Sequence, residues 1–386
     1  MSKSTSTKKI LMIAAEDSSC LYAERLLEHW QKKELDFKVF GVGSRKMESL
    51  GFECLGHSED LAVMGAQEII KHWSVIKKTF LDIVERCENE KPDVAVFLDY
   101  PGFNLKMAKK LNKLGIKTVY YISPKVWAWK KGRIKLFKKY IDKMIVIFPF
   151  EKGFYKKHDY EVEYVGHPVL DEMSPKFSDP EYINQCRSRY GIQKDEKVIA
   201  LMPGSRKAEI ERHLTVQLKV AENLCKKDSK LKVALFVAPG LTKDYMQAQI
   251  PHIKIPLILI KDEPFEMISL ADAVLAASGT ATLFVGLLKK PMVVMYIMKP
   301  VTAFLAKALV RSIKYIGIVN LIFDKLVSVE LIQGNANVDR LTLEMDKILF
   351  DDKVRQVQID ELSKLKNMLG HSGVTEKVAN CIEEML

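Results

Sequence analysis

Asp99 closes an apolar run and is followed by Tyr100-Pro101-Gly102-Phe103-Asn104. A carboxylate at the C-terminal end of a parallel strand faces the crevice where such sheets take ligands. There it can remove the proton of an attacking sugar hydroxyl. Aspartate also caps helices well, and spacing alone leaves the two readings level. Two further loops have phosphate chemistry. Pro203-Gly204-Ser205-Arg206 lies between an apolar run and a long helical pattern. Glycine lets the backbone approach a ligand, a helix start offers free N–H donors, and Arg206 adds a planar, permanently charged fork. Ser278-Gly279-Thr280 repeats the layout after another apolar run. Either loop alone is ordinary turn-and-cap chemistry, but two in one region suit a nucleotide diphosphate.

Other chemistries find less support. The first strand ends in Ala14-Ala15-Glu16-Asp17-Ser18-Ser19-Cys20, and Gly41-Val42-Gly43 lacks a third glycine. Neither is a dinucleotide fingerprint, so a nicotinamide is not expected, and the two glycines read as a tight turn. There is no D-x-D and no H-E-x-x-H, so no metal is expected, nor any cofactor. Among the scattered histidines, His167 in Gly166-His167-Pro168 reads as making a turn hydrogen bond. Cys20, Cys54, Cys87, Cys186, Cys225 and Cys381 form no C-x-x-C pair, and read as buried free thiols in a reducing compartment rather than a zinc site.

A net charge of +11 suits anionic partners, and no nucleic-acid module accompanies it. Lys125, Lys130, Lys131, Arg133, Lys135, Lys138 and Lys139 surround Val126-Trp127-Ala128-Trp129. Cations beside large aromatics suit a membrane interface or an acidic ligand. Residues 301–314 put Val301, Phe304, Leu305, Ala308 and Leu309 on one helical face, the pattern of a helix lying in a headgroup layer. The plainer reading of both is a core-facing helix and a solvated charge run.

These residues need elements to hold them. Short apolar runs at 9–15, 37–42, 94–98, 118–122, 144–148 and 163–165 lack a polar alternation, as strands covered on both faces do. Helical patterns such as 21–33 and 75–88 separate several of them. The rhythm restarts at 197–202, 232–237, 257–260, 273–276 and 292–296, with helical stretches at 208–226 and 282–289. A polar, proline-bearing stretch between the two sets reads as a linker near 166–175. The expectation is an α/β chain of two doubly wound, Rossmann-like domains facing across a cleft. Their bounds are 1–170 and 171–340, with helices over 341–386 that pack back on the first domain.

Several segments together resemble the lipid-A-disaccharide synthase family, over roughly residues 9–335. They are Leu61-Ala62-Val63-Met64-Gly65, the stretch from Asp99 to Asn104, Ser123-Pro124-Lys125-Val126-Trp127-Ala128-Trp129 and Phe148-Pro149-Phe150-Glu151. Further on come Val165-Gly166-His167-Pro168, Pro203-Gly204-Ser205-Arg206 with Glu209, Ser278-Gly279-Thr280-Ala281, Met298-Lys299-Pro300, and Asn320-Leu321-Ile322 followed by Glu330 and Gln333. The resemblance implies a GT-B fold, no metal and inversion at the sugar. It implies transfer from UDP-2,3-diacylglucosamine to 2,3-diacylglucosamine 1-phosphate, releasing UDP. It makes Asp99 the general base and gives the nucleotide side Gly204, Ser205, Arg206, Glu209, Ser278, Gly279, Thr280, Asn320, Glu330 and Gln333. Glu16, Ser18, Asn104, Lys125, Trp127 and Trp129 fall to the acceptor or membrane side. It implies a peripheral protein on the anionic inner face of the cytoplasmic membrane, and a homodimer is compatible with it. The chain departs from the family at Ala15, Ser19 and Cys20, where the family has two glycines and an aspartate. It departs again at Phe284, a glutamate position, and around Leu326. A non-catalytic or altered-specificity paralogue, or a UDP-sugar epimerase of the same fold, therefore stays open beside the transferase.

Overall fold

The structure, a computed structural model, describes residues 7–61, 66–127, 131–251, 253–299 and 314–386. The chain forms two compact units, Met1–Asp171 with Leu369–Leu386, and Glu172–Met368.

The first unit holds a seven-stranded sheet. Its strands are β1 (Lys8–Ala14), β2 (Phe37–Gly43), β3 (Glu53–His57), β4 (Val94–Leu98), β5 (Lys117–Tyr121), β6 (Lys143–Val146) and β7 (Glu163–Tyr164). Their order is β3-β2-β1-β4-β5-β6-β7, with every pairing parallel. Alternate residues of β1 serve opposite layers. Leu11 and Ile13 pack with Ile83, Cys87, Met107, Ala108 and Leu111 on one side. Ile10, Met12 and Ala14 pack with Leu26, Leu27 and Trp30 of helix Asp17–Lys32 on the other. That is why the strand reads as an unbroken apolar run: neither face meets water. Gly41 in β2 is required, since a Cβ there would lie 2.1 Å from the carbonyl oxygen of Met12.

The second layer is completed from the far end of the chain. Val374, Val378, Ala379 and Ile382 of helix Val374–Glu383 join the cluster of Ile10 and Met12. Asp171 fastens this helix by accepting from the backbone N–H groups of Gly373, Val374 and Thr375 at 2.7, 3.2 and 2.8 Å. Burial pushes the Asp171 carboxyl up, but the hydrogen bonds outweigh it and hold the group below its ordinary value. The tail is divided, because helices Val338–Phe350 and Asp352–Leu362 lie in the second unit.

The second unit repeats the plan with β8 (Val198–Met202), β9 (Lys232–Val237), β10 (Leu257–Lys261), β11 (Ala273–Ala277), β12 (Met292–Tyr296) and β13 (Glu330–Ile332). The order is β10-β9-β8-β11-β12-β13, again all parallel. Strand order therefore reverses once in each unit, between β1 and β4 and between β8 and β11. Open parallel sheets bind ligands at such reversals. Among the described residues no helix is long and apolar enough to cross a membrane.

Candidate active site

In the first unit the loops after β1 and β4 carry Glu16 and Asp99, so both emerge at the reversal of strand order. Asp99 and Tyr100 have φ of +46° and +45°, two successive non-glycine residues in the left-handed region. Such residues cost about 1–3 kcal/mol each and persist only where neighbours enforce them. The neighbours are visible. The Asp99 carbonyl accepts from Asn104 Nδ2 at 2.7 Å and from the Tyr120 hydroxyl, its N–H donates to Tyr121, and the Tyr100 hydroxyl donates to Leu61. The turn lifts the Asp99 carboxyl out of the strand while Pro101 starts helix Pro101–Lys113. Asp99 is half-buried. Burial and the charge of Glu16 push its pKa up to about 6, opposed by Lys125 and the Tyr100 N–H. A carboxylate poised near neutrality is what a general base needs.

Asn104 stands otherwise than expected. It is completely buried, with its amide turned down onto the backbone of Asp99, so it supports the turn and presents nothing to an acceptor. Helix periodicity explains this, since a position three after Pro101 faces the sheet. Glu16 is the N-cap of helix Asp17–Lys32, exchanging hydrogen bonds with Ser19, while Ser18 is exposed. Lys125 is exposed, and its charge acts on both Asp99 and Glu151. Trp127 packs edge-on against Phe150 at 5.2 Å between ring centres, with its indole N–H buried. It belongs to an inward aromatic cluster with Phe148 and His167 rather than to a free surface. Trp129 and residues 301–313 lie outside the described residues.

Glu151 is a site neighbour whose state only coordinates reveal. Its carboxyl accepts from the N–H groups of Ile147 and Phe148 at 3.3 and 3.0 Å. Burial pushes its pKa up to about 8 against those bonds, Trp127 and Lys125. His167 makes the turn hydrogen bond read from sequence, its Nδ1 accepting from Val169 N–H at 3.1 Å. Burial holds its pKa down to about 3.

In the second unit, Pro203 to Arg206 follow β8 and Ser278 to Thr280 follow β11, again at the reversal. Gly204 has φ +129°, and a Cβ there would sit 2.6 Å from the Glu209 Cβ. Ser205, Arg206, Gly279 and Thr280 are exposed. The helix-start N–H groups are not free: those of Ser205 and Arg206 donate to Glu209 Oε2 at 3.0 and 3.4 Å. Glu209 Oε1 accepts from Tyr296 at 3.3 Å. Ser278 turns inward, its hydroxyl donating to Ile316 at 3.0 Å. His213, overlooked in the sequence because it sits mid-helix, spans the two loop bases. Its Nδ1 donates to Pro203 O at 2.8 Å and its Nε2 accepts from Ile297 N at 3.0 Å.

Asn320, Glu330 and Gln333 also work through backbone. Asn320 is buried and gives its amide to Ser328 O and Glu330, while its carbonyl accepts from Val327 and Ser328. Glu330 accepts from Ile316 and Gly317 N–H at 2.8 and 2.9 Å. Gln333 pairs with both backbone groups of Met298. As direct nucleotide ligands, Asn320 and Glu330 have these polar groups already committed. Their place is to fix the loops around β12 and β13. Phe284 packs at a tilt against Phe265, 4.9 Å between ring centres, and Phe265 stacks in turn on Phe177. The position that resembles a family glutamate has thus joined an aromatic column.

Two parallel-sheet units, each with polar loops at its strand-order reversal, define a GT-B-like enzyme fold. Solved structures agree over the whole chain. The UDP-GlcNAc 2-epimerase of Neisseria meningitidis bound to UDP-GlcNAc superposes with a TM-score of 0.62 at 14% identity, covering 97% of this chain and 100% of that one. The calicheamicin glycosyltransferase CalG4 gives 0.59 at 14% identity, covering 99% and 98%. At such identity they speak for the fold alone. Sequence is more specific: residues 10–384 match the family described as lipid-A-disaccharide synthetase, and the chain belongs to that family. It is 33% identical over 379 residues to the lipid-A-disaccharide synthase of Trichlorobacter lovleyi, covering 98% of each chain. It is 34% identical over 381 residues to that of Coxiella burnetii, covering 99% of each.

Proposed function

We propose that the chain is an active, inverting glycosyltransferase that joins UDP-2,3-diacylglucosamine to 2,3-diacylglucosamine 1-phosphate, releasing UDP. The observation that carries the reading is Asp99, a carboxyl raised on a strained turn with its pKa pushed up to about 6. In this reading Asp99 takes the acceptor hydroxyl proton as the oxygen attacks the anomeric carbon. The carbon–oxygen bond to the diphosphate breaks on the opposite face, and UDP leaves with the electron pair. Arg206 neutralises the charge developing on the diphosphate, and Gly204 allows its close approach. Glu209 holds that loop in shape from behind. Family membership supports the donor and acceptor classes. The basic surface, with net charge +11, supports docking on an anionic membrane face, where acylated substrates reside. We place the protein there as a peripheral enzyme.

The test is UDP release from the acylated donor with and without the acylated acceptor. Release that needs the acceptor, with a disaccharide product, is the expected result. Turnover of a UDP-sugar without acceptor would identify an epimerase, and binding without turnover a non-catalytic relative. Sedimentation with anionic vesicles, weakening as salt rises, checks the membrane assignment.

A further inference from the structure

Cys54 and His57 are three residues apart in β3, and a regular strand would send them to opposite faces. The pairing of β2 with β3 is not regular. Gly41 pairs with Cys54 and Val42 with Gly56, so Leu55 is an extra residue and β3 carries a bulge. Bulges re-aim side chains. Here the result is Cys54 Sγ lying 3.6 Å from His57 Nδ1. Glu48, on the short helix Arg45–Ser49 between the two strands, adds a carboxylate oxygen, and the three ligand atoms all lie within 4.8 Å of one another.

Zinc holds thiolate sulfur at ~2.3 Å and imidazole nitrogen at ~2.0–2.1 Å, which makes the S···N edge of a tetrahedron about 3.6 Å. That is the separation found. We propose that Cys54, His57 and Glu48 form a zinc site whose fourth position is open to water. One thiolate, one carboxylate and one neutral imidazole balance a divalent ion, and the mixed S/N/O set suits zinc. Binding forms the Zn–S bond and releases the thiol proton to solvent. In the empty site that proton has Gly56 O as acceptor at 3.2 Å. The strand order puts β3 three strands from β4, roughly 14 Å from Asp99 at ~4.8 Å per strand. The ion therefore fastens the edge of the sheet rather than taking part in sugar transfer. A C-x-x-H spacing without a second pair gave no signal in the sequence, because only the bulge unites the two side chains.

The test is metal titration of tag-free, metal-stripped full-length protein. Zinc competition against a chromogenic chelator should give one tight site per chain. Cobalt should give a thiolate-to-metal charge-transfer band with the strong visible bands of tetrahedral geometry. Cys54→Ser and His57→Gln should each abolish the band. Glu48→Gln, at an exposed position, should weaken zinc on the order of tenfold or more, with the far-ultraviolet dichroism and melting of the metal-free protein unchanged. Should Cys54→Ser fold poorly, His57→Gln and Glu48→Gln decide. No charge-transfer band in the wild type, a band surviving in Cys54→Ser, or equal zinc affinity in the wild type, His57→Gln and Glu48→Gln would overturn the proposal.

Discussion

Asp99 concentrates the electrostatics of the first unit. If it must be ionised to act, kcat/KM should rise with pH through about 6, its raised value. Glu16 raises that value and Lys125 lowers it. Glu16→Gln should therefore move the acid limb to lower pH, and Lys125→Met to higher pH, as pH–rate profiles will register. A limb that stays put in both variants would remove these charges from the base's environment. Asp99→Asn should cut kcat by about 10²–10⁴ with little change in donor binding. Its melting temperature should not fall at neutral pH. The ionised carboxyl is the form burial disfavours, so this group's contribution favours the folded state only as pH drops below the folded value. At this scale the sequence placed Asp99 at the end of an apolar strand, which β4 bears out, while its role as base is a proposal. It misled at Asn104, which shares the motif but is turned into the core by helical geometry.

Elements decide how well the loops are held. The loop after β8 depends on Gly204 being in a conformation closed to other residues, with Glu209 against it. Gly204→Ala should destabilise the second unit by about 1–3 kcal/mol and raise KM for the donor about tenfold, equivalent to ~1.4 kcal/mol. Thermal melting and initial rates measure the two. Central strands were legible because double coverage writes a continuous apolar run, as in β1, β4, β8 and β11. The edge strands β3 and β13 were not. Glu53-Cys54-Leu55-Gly56-His57 is half-exposed, bulged and poor in β-branched residues, and Glu330-Leu331-Ile332 is three residues long. Nor could the sequence say that Asn320, Glu330 and Gln333 spend their hydrogen bonds on backbone, since polar residues near a site read as ligands until their partners are seen.

At the scale of the molecule, the first unit is assembled from both ends of the chain. Asp171→Ala removes the acceptor for three backbone donors and should cost about 1 kcal/mol, as lost helix caps do. Because the Asp171 carboxyl is held below its ordinary value, the wild-type advantage should persist at neutral pH. It should vanish as pH falls through the lowered folded value, a trend that chemical denaturation across pH reads directly. Deleting residues 369–386 should do far more, since it strips Val374, Val378, Ala379 and Ile382 from the layer over Ile10 and Met12. Loss of soluble protein is the expected outcome, read by expression and size-exclusion chromatography.

That arrangement also sets a timetable for biosynthesis. The sheet that bears Asp99 leaves the ribosome early, yet the helix that seals one of its faces is translated only after the whole second unit. At about 5–20 residues per second the wait is on the order of 10–40 s. Throughout it the part of that face beyond helix Asp17–Lys32 stands uncovered, so this chain should lean on chaperones that attend growing polypeptides, and a stalled or truncated chain should yield aggregate instead of a working half.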